Sequence, residues 1–423
     1  MKRIIAIIII ILCVQIGYSQ PMHRVIDGNL NDITEKDFLN IKNNDPSDYL
    51  VDVINLGEIT IDSTTNLNRV HLLSKFNRLA LIIKLDTLPK EFLHTNLKTE
   101  HLSINGDFKL KDISSINAFR QLKELVIEKF SGKQLSKDKL ILNNLKKLYL
   151  SKLQYVENLE ALTNLDSLTL LYLNDLLSIE KINAISHLNA LETLTIDNTP
   201  KLKEFPKLAP SNQLISLYLE DLSADIQNLK YLEKLKALSL EIAVWDFPDY
   251  LPPNMEGIII EGNPHNNLKD ISNINNYEKL TSISLYSVKI KDSVSTFPTK
   301  KLNYLSIKNS QSVGNLSFIY KFKKINQLHL ENLNRIEGLN CTNCSSEFDD
   351  VKLQSIKGVE HFNSIFNSKI NNSIDIAFTS ITSIPKIKKL KKISTLDIRY
   401  NRNLQIDDVS ISEDWKILEN WKE

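Results

Sequence analysis

One phrase recurs from Phe76 to Asn401: an apolar residue, two of any kind, an apolar, one of any kind, an apolar. It stands as Leu122-x-x-Leu125-x-Ile127, Leu145-x-x-Leu148-x-Leu150, Leu165-x-x-Leu168-x-Leu170, Leu235-x-x-Leu238-x-Leu240 and Ile393-x-x-Leu396-x-Ile398. The middle apolar residues fall at 79, 102, 125, 148, 168, 194, 217, 238, 258, 283, 305, 328, 351, 374 and 396, so the gaps run from 20 to 26 residues. A weaker copy, Val51-x-x-Ile54-x-Leu56, lies upstream. A unit this short cannot bury its apolar face alone and must stack on copies of itself. The chain is therefore expected to form a solenoid of about sixteen coils over residues 50–403.

Within a phrase such as Leu125-Val126-Ile127, alternate side chains face opposite ways. Leu125 and Ile127 point into the coil, while Glu124, Val126 and Glu128 point out. One strand per coil predicts a parallel sheet with strands about 4.8 Å apart. The return side of each coil carries a period of three, as in Ile179, Ile182, Ile185, Leu188, Leu191 and Leu194. Residues i and i+3 eclipse in a 3-10 turn, so the returns are expected to be 3-10 or irregular. Pro200, Pro206 and Pro210 interrupt one return, and Pro248, Pro252 and Pro253 another. Those returns should be extended.

The period-three copies resemble the 22-residue leucine-rich repeats of bacterial internalins. The copy running from Leu251 through Pro252, Pro253 and Asn254 to Asn263 looks more like the 20-residue repeats of bacterial effectors. The resemblance implies an α/β solenoid, a curved leucine-rich repeat array with a parallel concave β-sheet and mostly 3-10 or irregular convex segments. In such repeats an asparagine five residues after the middle apolar position ties adjacent turns. Here only Asn263 and Asn401 occupy that slot, with Thr199, Ser310 and Thr379 as substitutes. Thr34-x-x-Asp37 has the form of a capping box, and Trp415, Leu418 and Trp421 follow Ser412 at helical spacing. Residues 20–49 and 404–423 are accordingly expected to cap the two ends.

Lys2 and Arg3, the apolar run Ile4–Ile16 and the small residues Gly17 and Ser19 have the form of a secretory signal over residues 1–19. It predicts a secreted or periplasmic protein. Setting Lys2 and Arg3 aside leaves 50 basic side chains (52 less 2) against 51 acidic ones, a balance that argues against nucleic-acid binding. No further stretch is long and apolar enough for membrane insertion.

Chemistry is sparsely signalled. The eight histidines show no metal-ligand spacing, and with ten glycines there is no phosphate loop. No catalytic residue, metal or cofactor is expected. Cys341 and Cys344 are the one cysteine pair after the signal, and an oxidising compartment favours a local disulfide between them.

The outward strand positions can be read as columns. Three residues after the middle position come Asp197, Glu220, Glu241 and Glu261 in four consecutive coils. Like charges on adjacent strands repel, so this column suits a cationic ligand, although exposed carboxylates also serve solubility alone. Tyr149 and Tyr218 stand one residue after the middle position, and Tyr286 and Tyr304 extend the aromatic lining. Small polar residues interleaved with tyrosine suit recognition of protein surfaces. The expected function is a monomeric protein that binds a protein or peptide partner, with a basic one favoured by the acids, through its concave face. The alternative is a structural or surface-adhesion element without a single ligand.

Overall fold

A computed structural model describes residues 26–34, 56–209, 211–221, 224–241, 251–262, 267–268, 274, 276–290, 301–310, 314–334, 336–338, 346–357, 365, 368–379, 394–401 and 416–418. The chain divides into two compact units, Met1–Leu168 and Thr169–Glu423, taken one at a time below.

The first unit stacks strands β1 (Ile26–Asn29), β2 (Leu56–Ile61), β3 (Arg78–Ile83), β4 (His101–Asn105), β5 (Glu124–Phe130) and β6 (Lys147–Leu153). Every neighbouring pair is parallel, and Gly57, Leu79, Leu102, Leu125 and Leu148 form one register row. Alternation decides the faces, as expected. In β5, Leu125 and Ile127 are 0% exposed, while Glu124, Val126 and Glu128 lie on the open side.

The second unit repeats the plan. Its first strands are β7 (Leu170–Asn174), β8 (Thr193–Asp197), β9 (Ser216–Glu220), β10 (Ala237–Glu241), β11 (Gly257–Glu261) and β12 (Ser282–Tyr286). They continue as β13 (Lys301–Lys308), β14 (Lys324–Leu333), β15 (Glu347–Ile356), β16 (Lys369–Ala377), β17 (Thr395–Asp397) and β18 (Lys416–Leu418). The row Leu171, Leu194, Leu217, Leu238, Ile258, Ile283, Leu305, Leu328, Val351, Ile374, Leu396 and Ile417 runs through all of them in parallel register.

Two copies of the phrase sit three residues later than the pattern alone indicates. The middle residue of β7 is Leu171, not Leu168, because Leu171 pairs with Leu194. The gaps from 148 to 171 and from 171 to 194 are then both 23, in place of 20 and 26. Leu165-x-x-Leu168-x-Leu170 and Leu168-x-x-Leu171-x-Leu173 both fit the phrase, since the period of three in the return runs into the strand. Burial separates them: Leu171 and Leu173 are 0% exposed, while Leu170 is only half-buried. The weak upstream copy is likewise shifted, with Gly57 rather than Ile54 opposite Leu79 and with Ile59 and Ile61 buried.

Two of the returns that carry the period of three are 3-10, while the run from Ile384 to Ile393 lies outside the described residues. Between β7 and β8 the amides of Ile185, Leu188 and Leu191 donate to the carbonyls of Ile182, Ile185 and Leu188 at 3.0–3.1 Å. Between β6 and β7 the amides of Leu162, Leu165 and Leu168 donate in the same way to Leu159, Leu162 and Leu165. The proline-bearing return that follows Thr199 has no helix in its described residues. Its Glu204 instead bridges Asp225 of the next coil.

One backbone feature recurs four residues after the middle position. Lys129, Lys152, Asp175, Asn198, Asp221, Ser287, Asn309, Asn332, Ser355, Phe378 and Tyr400 all have φ between +45° and +67°. A single left-handed residue at this point turns the chain off the sheet. The next position holds the expected inter-coil ties in three cases. Ser310 Oγ accepts from Val288 N–H, the Thr379 hydroxyl and amide donate to Asn401 Oδ1, and Asn401 Nδ2 donates to the Ile376 carbonyl. Thr199 is fully buried, but its hydroxyl has no such partner. Asn263 lies outside the described residues.

At the ends the ladder is longer than the repeat phrase indicates. Ile26–Asn29 pairs with β2 as another coil, and Lys416–Leu418 pairs with β17 where a helix was expected. The capping-box segment beyond Thr34, together with Trp415, Trp421 and the signal-like segment, lies outside the described residues.

Candidate functional site

Strand register brings the acidic column together. Asp197 is the lateral neighbour of Glu220, Glu220 of Glu241, and Glu241 of Glu261. Strand alternation sets all four carboxylates on the open face, because Ile196, Leu219, Leu240 and Ile260, one residue earlier, fill the interior. The corrected register of β7 puts Asn174 at the head of the column, and its Nδ2 donates to Asp197 Oδ2 at 2.5 Å. At the other end Glu261 is followed by Tyr286, then Lys308, then Glu331.

Among the described residues the column lacks the cations that accompany acids elsewhere. Ten described lysines reach a carboxylate 20–25 residues away, Lys123 to Glu100 at 2.9 Å and Lys308 to Glu331 at 2.8 Å among them. Among the described residues, Asp197, Glu220, Glu241 and Glu261 have no such partner. Two left-handed residues add to the negative charge, since Asp175 and Asp221 both act on Asp197.

Electrostatics follow from that crowding. Burial and then the charges of Asp197, Glu241 and Glu261 push the Glu220 carboxyl up to about 7. Burial, followed by Glu261, Asp221 and Asp197, also raises Glu241. Asp197 is raised mainly by burial, against the hydrogen bond from Asn174.

The four tyrosines are less alike than the sequence suggests. Tyr218 is only 8% exposed and hydrogen-bonds Ser216, so little of its ring is free for contact. Tyr286 and Tyr304 are half-buried, and the Tyr304 hydroxyl lies 3.5 Å from His329 Nδ1. Tyr149 belongs to the first unit, opposite Val126. Cys341 and Cys344 lie outside the described residues. Among the described residues no group of three His, Cys, Asp or Glu is placed to hold a metal ion, and no helix is long and apolar enough to cross a membrane.

The small polar columns of the sequence include a cluster of hydroxyls beside Tyr286 and Tyr304. Ser282, Ser284 and Ser306 are all less than a tenth exposed, and the Oγ atoms of Ser282 and Ser306 have no hydrogen-bond partner. His329, next to Ser306 across the ladder, is held neutral by burial and by Lys308 and Lys352, with its pKa lowered to about 4. Its Nε2 sits 3.2 Å from Glu331 Oε2, in a geometry that makes no hydrogen bond. The repetition of serine in these columns was visible in the sequence, but the burial was not.

One parallel strand per coil, a 3-10 return and a recurring left-handed turn define a leucine-rich repeat solenoid. The described residues have the leucine-rich repeat fold, and part of the chain matches a leucine-rich repeat family model. A family model described as R13L1/DRL21 leucine-rich repeats matches residues 93–176. No curated protein matches the sequence. Among solved structures the chain is similar to an internalin from Listeria monocytogenes, at 14% identity over 85% of this chain and 92% of that one, with a TM-score of 0.42. It is similar to a leucine-rich repeat protein of Leptospira interrogans, at 18% identity over 83% and 91%, with a TM-score of 0.47. A chain of the Drosophila Toll–Spatzle complex is similar at 9% identity over 89% of this chain and 64% of that one, with a TM-score of 0.43. No residue role passes from these proteins to this chain.

Proposed function

We propose that this protein is an extracytoplasmic binding protein, not an enzyme, that holds a protein or peptide partner on the open face of its sheet. Asp197, Glu220, Glu241 and Glu261 select for basic groups, and Tyr286 and Tyr304 supply contact area. The observation that supports this reading is that, among the described residues, these carboxylates have no cationic partner, whereas acids of other coils pair with lysine. A ladder of like charges destabilises the free protein, and a cationic partner would relieve the repulsion while gaining selectivity. Export rests on the signal-like N-terminus.

The test is capture of partners from cell envelope and culture medium by the immobilised protein. The control has Asp197→Asn, Glu220→Gln, Glu241→Gln and Glu261→Gln together. A partner held by the native chain and lost by the control supports the reading. Retention by both removes the carboxylates from it, and no capture by either favours the structural or adhesive alternative.

A further inference from the structure

The left-handed residues at the ends of β13–β17 form a ladder along one edge of the sheet. They are Asn309, Asn332, Ser355, Phe378 and Tyr400, and strand register sets them side by side in that order. Asn332 Nδ2 donates to Asn309 Oδ1 at 3.0 Å. The rings of Phe378 and Tyr400 stack with centroids 4.5 Å apart and planes 3° from parallel. Between the amide pair and the ring pair stands Ser355, a rung with neither amide nor ring.

The two aromatic residues are costly where they stand. Their φ angles are 53° and 67°, a region that bulky side chains seldom enter. Strain of this kind gathers at ligand sites. Phe378 is also 56% exposed and Tyr400 49%. Tyr400 covers one face of the Phe378 ring, so exposure on that scale leaves the opposite face, toward Ser355, open. Tyr231 shows the contrast. Lys207 and Lys230 lie 4.8 and 5.1 Å from its ring centroid, whereas among the described residues no cation lies over Phe378.

The gap at Ser355 has a definite thickness and polarity. Rungs are about 4.8 Å apart, so about 10 Å separates the Asn332 rung from the Phe378 rung. One flat group fits there, in contact at about 3.5–4 Å with each wall. One wall is the face of the phenyl ring, which is negative. The other is Asn332, which turns its Nδ2 to Asn309 and so presents Oδ1 to the gap. A neutral aromatic ring would set its own negative face against that oxygen. An ammonium group is compact rather than flat, and strongly hydrated. A guanidinium is flat, cationic, weakly hydrated and carries donors alone, so it suits both walls.

We propose that the gap at Ser355 is a binding site for an arginine side chain of a partner, held between the face of Phe378 and the carboxamide oxygen of Asn332. The site stands apart from the acidic column of β8–β11 and does not depend on what that column binds.

The experiment mixes the full chain with the N-acetyl amides of arginine, citrulline, lysine and tryptophan at millimolar concentration, and saturation-transfer NMR reads the binding of each. Citrulline keeps the flat shape without the charge, and lysine the charge without the flat shape. Ser355→Phe fills the empty rung, and Phe378→Ser removes one wall. The difference between the native chain and Ser355→Phe isolates this site from the acidic column. In that difference arginine should bind about threefold tighter than any of the other three. Phe378→Ser should lower arginine binding to the level of Ser355→Phe. Thermal melts should show Ser355→Phe as folded as the native chain, since the added ring extends an existing stack. Equal or tighter binding of citrulline, lysine or tryptophan overturns the proposal. So does arginine binding that survives Ser355→Phe undiminished.

Discussion

Glu220 makes the electrostatic cost of the open face measurable. Its ordinary value is 4.5, and in the folded protein it is pushed up to about 7. Below 4.5 the group is protonated in both folded and unfolded chains and affects neither. As pH rises through this window the unfolded chain ionises first, so the folded state is progressively disfavoured, and the penalty is complete above about 7. Glu220→Gln should therefore leave stability unchanged near the acid end and raise it at mildly alkaline pH. The gain should be on the order of 1 kcal/mol once solvent screening is allowed for. Thermal melts at the two pH values check this; an equal gain at both would point to packing instead. Lys152 offers a second test, with φ +57° and an exposed side chain. Lys152→Gly relieves about 1–2 kcal/mol of left-handed strain against up to about 1 kcal/mol of added chain entropy. Urea unfolding should show a net gain on the order of 0.5 kcal/mol.

At the scale of one element, β7 shows how far the sequence could be read. The phrase and its period place nearly every strand row correctly, because alternation in a half-buried strand is a strong signal. The pattern fails at Leu168 because the return brings apolar residues every third position, and a slide by three preserves it. The slide matters for the site, since it hides Asn174 beside Asp197. The left-handed residues were hidden too, although Asp175, Asn198, Asp221, Asn309 and Asn332 are the residue types that favour that conformation. Column membership of the acids was legible; the lack of partner cations and the burial of Ser306 were not, as both depend on how neighbouring coils pack. Register can be tested directly. Leu171→Ala should cost about 2–5 kcal/mol, as a buried leucine does, whereas the half-buried Leu170→Ala should cost markedly less. Comparable losses in chemical denaturation would contradict the later register.

At the scale of the whole molecule, a formal charge of +1 conceals a sharp local imbalance. Exposed lysine–carboxylate pairs each contribute little and are weakened by salt. The unpaired column behaves in the opposite sense, because salt screens its repulsion. Added salt at mildly alkaline pH should raise the melting temperature of the native chain more than that of the Glu220→Gln, Glu241→Gln double variant. An identical salt response in the two would mean that the column costs the fold nothing.

Where a strand ends in a left-handed residue, that residue marks a fixed point of the coil. The step from the middle apolar position to that residue is four in every case noted, while coil lengths differ. In those coils the variation falls on the return, and the open face keeps its phase. Asn309 and Asn332 occupy equivalent points 23 residues apart. Splicing the chain between two such points would delete one rung and leave the others in step, so the array can be edited in whole coils much as a sentence loses a clause between two commas.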